Sequence, residues 1–305
     1  MEKIVTTKGA VEQPPMSNAV LFFPAQNFLG EGPLWNVDEQ ALYWVDIIGQ
    51  HFHCLDPRTM LHESFDVGTP VCVLAFRKSG GLVMALRDGF AYWNAQEKRP
   101  EYIVRPLEHL NNVRFNDGAV DCAGRFWAGT MSTTGDLNSG VLYRLDPDGS
   151  LHVMDTGFGI SNGLGWSPDN TIMYLTDSPR RIIYAYDFAA TTGAISNKRV
   201  FVQLSNDPPQ PDGLVVDSQG YVWSAHWDGG CVTRYAPDGS VERVIQVAAP
   251  HSSACVFGGP ALTDLYITSA QQGLSQEQLK QYPLSGDLFR YQSDVPGLPK
   301  FQFAG

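Results

Sequence analysis

Short runs of alternating apolar and polar residues, each closed by a glycine, a proline or an aspartate, recur along almost the whole chain. Leu42-Tyr43-Trp44-Val45-Asp46 passes through Gly49 to Phe52-His53-Cys54-Leu55-Asp56-Pro57. The same two-strand phrase returns at 81–85 with 89–93, 125–129 with 140–149, 172–177 with 182–187, 221–225 with 231–239, and 264–268 with 286–291. Alternation with a period of two is the mark of a half-buried strand, and only residues 275–282 have a locally helical look. The anchor positions Tyr43, Leu82, Phe126, Met173, Val222 and Leu265 are separated by 39, 44, 47, 49 and 43 residues. A period in the forties with about four short strands per unit is that of a propeller blade. Six copies fill the chain. The expected fold is therefore all-β, a six-bladed β-propeller over residues 18–305 behind an N-terminal tail at 1–17. The strand Ala19-Val20-Leu21-Phe22-Phe23 is expected to pair with the last blade and close the ring, which removes free sheet edges.

Composition agrees with many short strands and tight turns: 30 glycines, 20 prolines and a hydrophobic share of 43%. The net charge of −11 argues against nucleic acid and anionic membrane surfaces as partners and fits a protein that handles a neutral small molecule. The N-terminal stretch lacks the apolar run of a signal peptide, and no segment approaches the ~18 apolar residues of a membrane span. Cys54, Cys72, Cys122, Cys231 and Cys255 are odd in number and scattered, without a Cys-x-x-Cys pair. That pattern implies reduced thiols and a cytoplasmic setting. A monomer or weak dimer is expected.

The candidate chemistry lies in the phase of the repeat. Glu31 stands 13 residues before Trp44, Asn116 11 before Trp127, Asn162 12 before Tyr174 and Asp212 11 before Trp223. Equal phase within a ring of blades means equal position around the axis, so these four oxygen-bearing side chains converge in the loops entering the strands at one channel mouth. Cys72 and Cys255 hold the same phase in the remaining two blades. Carboxylates and carboxamides gathered in a dry channel are costly without a cation. Oxygen donors suit a divalent ion, calcium or magnesium first, with manganese or zinc possible. Each of these sites alone reads more readily as a turn, of the Asn-Gly or Asp-Gly kind, than as a ligand; the shared phase is what favours the metal. Arg114, two residues before Asn116, is either a second group aimed at the channel mouth or a surface arginine. Asp177 is either a partner behind the site or a strand-end cap. His226 and Trp227 read as packed or solvated residues, and the tryptophans at 35, 44, 127, 166 and 223 as core between blades. The Asp-Pro-Asp-Gly and Ala-Pro-Asp-Gly runs at 146–149 and 236–239 are hairpin turns at the opposite phase.

These stretches resemble the regucalcin, gluconolactonase and luciferin-regenerating-enzyme family. The resemblance rests on Gly-Glu-Gly-Pro-Leu-Trp at 30–35, Arg-Phe-Asn-Asp-Gly at 114–118 with Asp121 and 124–131, Ser161-Asn162-Gly163-Leu164 with Trp166-Ser167, and Pro211-Asp212-Gly213. It implies a six-bladed propeller with one catalytic divalent cation in the channel and a sugar lactone as substrate, in a setting of sugar-acid catabolism. It further implies Glu31, Asn162 and Asp212 as metal ligands, and Arg114 and Asn116 as groups that bind the substrate's oxygens. Where animal members carry a glutamate that touches substrate, this chain has Thr134, which bears on the choice of sugar. The expected reaction is metal-dependent hydrolysis of an aldonolactone, with Asp212 accepting a proton from the attacking water. The alternatives are a non-catalytic calcium-binding or ligand-sensing propeller, and an esterase or organophosphatase-like hydrolase on the same scaffold.

Overall fold

The computed structural model describes residues 16–205 and 208–305. Six antiparallel sheets are arranged as blades around one axis. Blade I consists of Gly30–Asn36, Ala41–Asp46, His51–Asp56 and Leu61–Asp66, from the axis outwards. The innermost strands of blades II to VI are Val71–Phe76, Val113–Val120, Ser161–Trp166, Gln210–Val216 and Ser252–Gly258. Each innermost strand packs against those of both neighbouring blades, which makes the ring continuous. Val20–Phe23 forms the outermost strand of blade VI, antiparallel to Leu288–Gln292, so the ring closes with its first and last segments in one sheet.

Residues 1–15, most of the expected tail, lie outside the described residues. The last two tail positions, Met16 and Ser17, belong to strand Met16–Asn18. It runs parallel to Val241–Gln246 and adds a fifth strand to blade V, capping an otherwise open edge. The short helix Gln276–Gln281 starts from a Ser275 capping box and ends at Tyr282.

The core lies between blades. Trp127 and Trp223 occupy one position in the second strands of blades III and V, Trp44 stands two residues further along the second strand of blade I, and all three are fully buried. Their indole N–H groups donate to Asn27 Oδ1 at 3.1 Å, Asp121 Oδ2 at 2.8 Å and Asp217 Oδ2 at 2.9 Å. Asp121 and Asp217 also pair with Arg125 and Arg234, so each buried carboxylate is neutralised where it sits. Truncating one of these tryptophans to alanine costs roughly 3–5 kcal/mol.

The C-terminal segment crosses the far end of the channel. Gly297 bridges to Asp217 of blade V, Phe303 to Arg77 of blade II, and the Ala304 N–H donates to the Gly124 carbonyl of blade III. All three contacts lie just beyond the C-terminal ends of innermost strands. The strand starts are left open as the other mouth.

Candidate active site

Each innermost strand carries a β-bulge close to its start. The register slips between Glu31 and Leu34, Val71 and Val73, Phe115 and Gly118, Asn162 and Leu164, Pro211 and Leu214, and Ser252 and Cys255. An extra residue in one strand bends it and re-aims its side chains. Repeated six times around an axis, the bulge turns one side chain after another toward the channel. Glu31, Asn116, Asn162 and Asp212 all sit at these bulges. They therefore lie inside the innermost strands, not in loops leading into them, and the aromatic strands used as anchors are second in each blade. Near the axis the innermost strands approach one another closely enough to require glycine at two positions. A Cβ added at Gly163 would stand 2.5 Å from the Asp212 carbonyl oxygen, and one at Gly213 would overlap Ala254.

The structure brings all five expected residues into one cavity of about 170 Å³: Glu31, Arg114, Asn116, Asn162 and Asp212 share its wall. Glu31, Asn116, Asn162 and Asp212 are each at most 7% exposed. Asn116 is engaged at both ends of its carboxamide: its Oδ1 accepts from Arg114 Nη1 at 2.8 Å and its Nδ2 donates one N–H to the Ser161 carbonyl at 3.2 Å. The same Arg114 nitrogen donates to the Phe115 carbonyl at 2.8 Å. Asn162 differs. Its Nδ2 donates to Ser178 Oγ at 3.1 Å, while its Oδ1 is buried with no partner. Asp212 Oδ1 is likewise buried and unpartnered. Glu31 Oε2 accepts only its neighbour's amide, Gly32 N, at 3.0 Å.

Burial pushes the Glu31 carboxyl up to about 8, with Asp117 adding to the rise and Arg114 opposing it. Asp212 is raised well above the usual carboxylate range by burial, then by Glu31 and Asp117. Asp117, deeper in the channel, is pushed up to about 6 by burial and held down by the Gly118 amide and Lys300. Lys300 reaches up from the C-terminal segment and lines a small cavity of about 50 Å³ with Asp117 and Cys255. A buried oxygen without a donor is rare and costly. Two of them beside a pair of mutually repelling carboxylates form the environment that a bound cation satisfies. Among the described residues no group of three His, Cys, Asp or Glu is placed to hold a metal. The donor set here is two carboxylates and a carboxamide, the hard-oxygen kind, so Glu31, Asn162 and Asp212 are the residues able to hold an ion.

Other wall residues carried no sequence expectation as ligands. Met131, Ser178 and Trp227 line the cavity and stand four residues after the second-strand aromatics Trp127, Tyr174 and Trp223. That common offset was a readable signal. Gln210 and Gln272 complete the polar rim. Trp227 is thus part of the site, whereas His226 is buried behind it against Cys231 and Tyr235. Asp177 is a strand-end cap: it accepts from the Gly159 and Ile160 amides and pairs with Arg180. Thr134 does not line the cavity; its hydroxyl and amide are tied to Ser132 Oγ at 3.1 and 3.0 Å.

Comparison with known proteins supplies the frame for this geometry. The family model described as SMP-30/Gluconolactonase/LRE-like region matches residues 29–271. A 6-deoxy-6-sulfogluconolactonase from Pseudomonas putida is 39% identical over 279 residues, covering 91% of this chain and 95% of the relative. A pentonolactonase from Haloferax volcanii is 36% identical over 280 residues, covering 90% and 94%. The solved structure of a calcium-binding protein, regucalcin, from Agrobacterium tumefaciens superposes with a TM-score of 0.92 at 23% identity, over 96% of this chain and all of that one, and confirms the six-bladed architecture. With the matched region spanning every bulge from Glu31 to Asp212, the chain belongs to the SMP-30/gluconolactonase/LRE-like family, as a hydrolase of the sugar lactone lactonase group.

Proposed function

We propose that this protein hydrolyses a sugar (aldono) lactone to its aldonic acid, with one divalent cation (calcium, magnesium, manganese or zinc) held by Glu31, Asn162 and Asp212. The observation that carries this reading is the pair of buried, unpartnered oxygens, Asn162 Oδ1 and Asp212 Oδ1, in the cavity that Arg114 and Asn116 also line. The two lactonases at 39% and 36% identity support the substrate class, and the calcium-binding propeller supports an ion of the hard type.

When bound, the cation supplies charge compensation for the two carboxylates and an electrophile for the lactone carbonyl. The protein's own groups do the rest. Asp212 takes the proton of the water that attacks the carbonyl carbon. It returns that proton to the ring oxygen as the ring C–O bond breaks, so one water is consumed per ester bond opened. Arg114, held by Phe115 O and Asn116 Oδ1, presents its remaining N–H donors to the oxygens of the sugar. With Asn116 it fixes the lactone in one orientation, a contribution of proximity.

The test is acid release from a panel of pentono- and hexonolactones by chelator-stripped protein resupplied with one cation at a time. Restored turnover with at least one cation, lost in Asn162→Ala, is expected. Failure of all four cations to support opening of any aldonolactone would overturn the reading.

A further inference from the structure

Trp227 is the last residue of strand Val222–Trp227 and pairs in register with Gln210, two residues before Asp212. Its indole is stacked on the imidazole of His251, ring centroids 4.0 Å apart and planes 13° from parallel. His251 is buried and its Nε2 lies 2.8 Å from Asp228 Oδ1. Asp228 takes a left-handed backbone (φ 61°), which turns the chain straight after Trp227. The indole is therefore clamped: one face is covered by the imidazole, the imidazole is held by a carboxylate, and the ring packs against an apolar cluster while contributing to the cavity wall.

The clamp spans the junction of blades V and VI, because His251 directly precedes the innermost strand of blade VI. Trp227 itself is on blade V, two blades round the ring from blade III, which carries Arg114 and Asn116. The cavity wall thus holds hydrogen-bond donors from blade III and a rigid aromatic surface at the junction of blades V and VI, with Asp212 on the same blade as that surface. A sugar has hydroxyls at its rim and C–H groups on its ring faces. A held indole receives such a face with a large contact area and little loss of side-chain freedom.

We propose that Trp227, backed by His251 and Asp228, is the platform on which the C–H face of the sugar stacks, and that it sets the preference for a hydroxylated ring over a bare lactone. This rests on the lactonase reading for the substrate class. The platform acts on the part of the substrate that does not react, so its binding energy orients the carbonyl. His251 is a positioning residue that acts through Trp227.

The experiment pairs turnover with binding. Metal-loaded wild type, Trp227→Ala, Trp227→Phe, His251→Ala and His251→Phe are assayed on glucono-δ-lactone and on δ-valerolactone, which has the same ring without hydroxyls or side chain. The same proteins are titrated calorimetrically with 1,5-anhydroglucitol, a ring ether that cannot be opened. Trp227→Ala is expected to lower kcat/KM for the sugar lactone and affinity for the ether by about 10-fold or more, with Trp227→Phe recovering most of both. δ-Valerolactone is expected to change less than about 3-fold. His251→Ala raises KM for the sugar lactone with kcat retained, and His251→Phe, which can still stack, restores it. Equal losses on both lactones, or unchanged affinity for the ether in Trp227→Ala, would overturn the platform. Ether binding that depends on Trp227 in a protein that opens no lactone would retain the platform and reject the lactonase reading.

Discussion

Ser178 Oγ accepts the Asn162 carboxamide N–H at 3.1 Å, and this one bond decides which end of the amide is free. With its nitrogen engaged, Asn162 keeps an unpartnered oxygen in the cavity wall. Asn116 is in the opposite state, its oxygen taken by Arg114. Two asparagines at corresponding bulges of blades III and IV are thus sorted by their neighbours, and in the proposed function one serves the cation and the other the substrate. Groups that orient a ligand typically cost 10–100-fold in metal affinity when removed. Ser178→Ala is expected to weaken divalent-ion binding by about 10-fold and Asn162→Ala by more, while Asn116→Ala leaves it within about 3-fold and raises KM. Calorimetric titration of chelator-stripped protein separates the three. An unchanged dissociation constant in Asn162→Ala would remove that residue from the ligand set.

Stability of the metal-free protein should depend on pH in an unusual direction. Glu31 is raised from 4.5 to about 8 and Asp212 also upward, both chiefly by burial. The native state therefore holds protons that the unfolded chain has already released. Stability from these groups is complete below the unfolded carboxylate range, near pH 4.5 for Glu31, and is lost as pH rises through the folded value near 8. The loss is on the order of a few kcal/mol. Thermal melts in chelator are expected to show a lower Tm at pH 8 than at pH 6. A saturating divalent cation, which replaces those protons, should flatten the slope. A Tm in chelator that climbs over this interval would contradict the burial of the two carboxylates.

In the proposed function Asp212 carries two duties, donor to the cation and acceptor of the proton, and these separate in the variants. Asp212→Asn keeps an oxygen in place but cannot take a proton. It is expected to lower kcat by about 10²–10⁴-fold, the usual contribution of a positioned base, with a smaller loss of metal affinity. Arg114→Lys keeps the charge without the planar fork and is expected to raise KM more than it lowers kcat. Single-turnover and steady-state rates at saturating cation check both. Turnover of Asp212→Asn within a few-fold of wild type would assign the proton to another group.

Much of this was legible in the chain because a propeller repeats itself. The six anchors and the phase of Glu31, Asn116, Asn162 and Asp212 follow from counting, since a ring converts equal offset into a shared place. The bulges did not. They depend on two strands pairing out of step, and no residue type marks the slip, so the oxygen-bearing positions were read as loops. The tryptophans Trp44, Trp127 and Trp223 drew attention to the second strands because burial between blades demands bulk, whereas the axis demands the glycines at 163 and 213. Trp227 reads from the sequence as a packed or solvated residue because a single tryptophan carries no sign of which face is covered. That depended on His251, 24 residues away in the next blade.

Below the site, Lys300 and Asp117 line one small cavity of about 50 Å³. Burial lowers the Lys300 ammonium and raises the Asp117 carboxyl, while each pulls the other back toward its charged form. The C-terminal segment that delivers Lys300 is pinned on either side, by Gly297 to Asp217 and by Phe303 to Arg77. Removing one charge strands the other; removing both strands neither. Lys300→Met is therefore expected to lower stability by about 1–3 kcal/mol, and Asp117→Asn added to it to recover a large part of that loss. Denaturant midpoints of the two single variants and the double variant, measured near pH 7.5 where Asp117 is ionised, give the coupling. Strictly additive losses would show that the two groups do not sense each other across the channel floor.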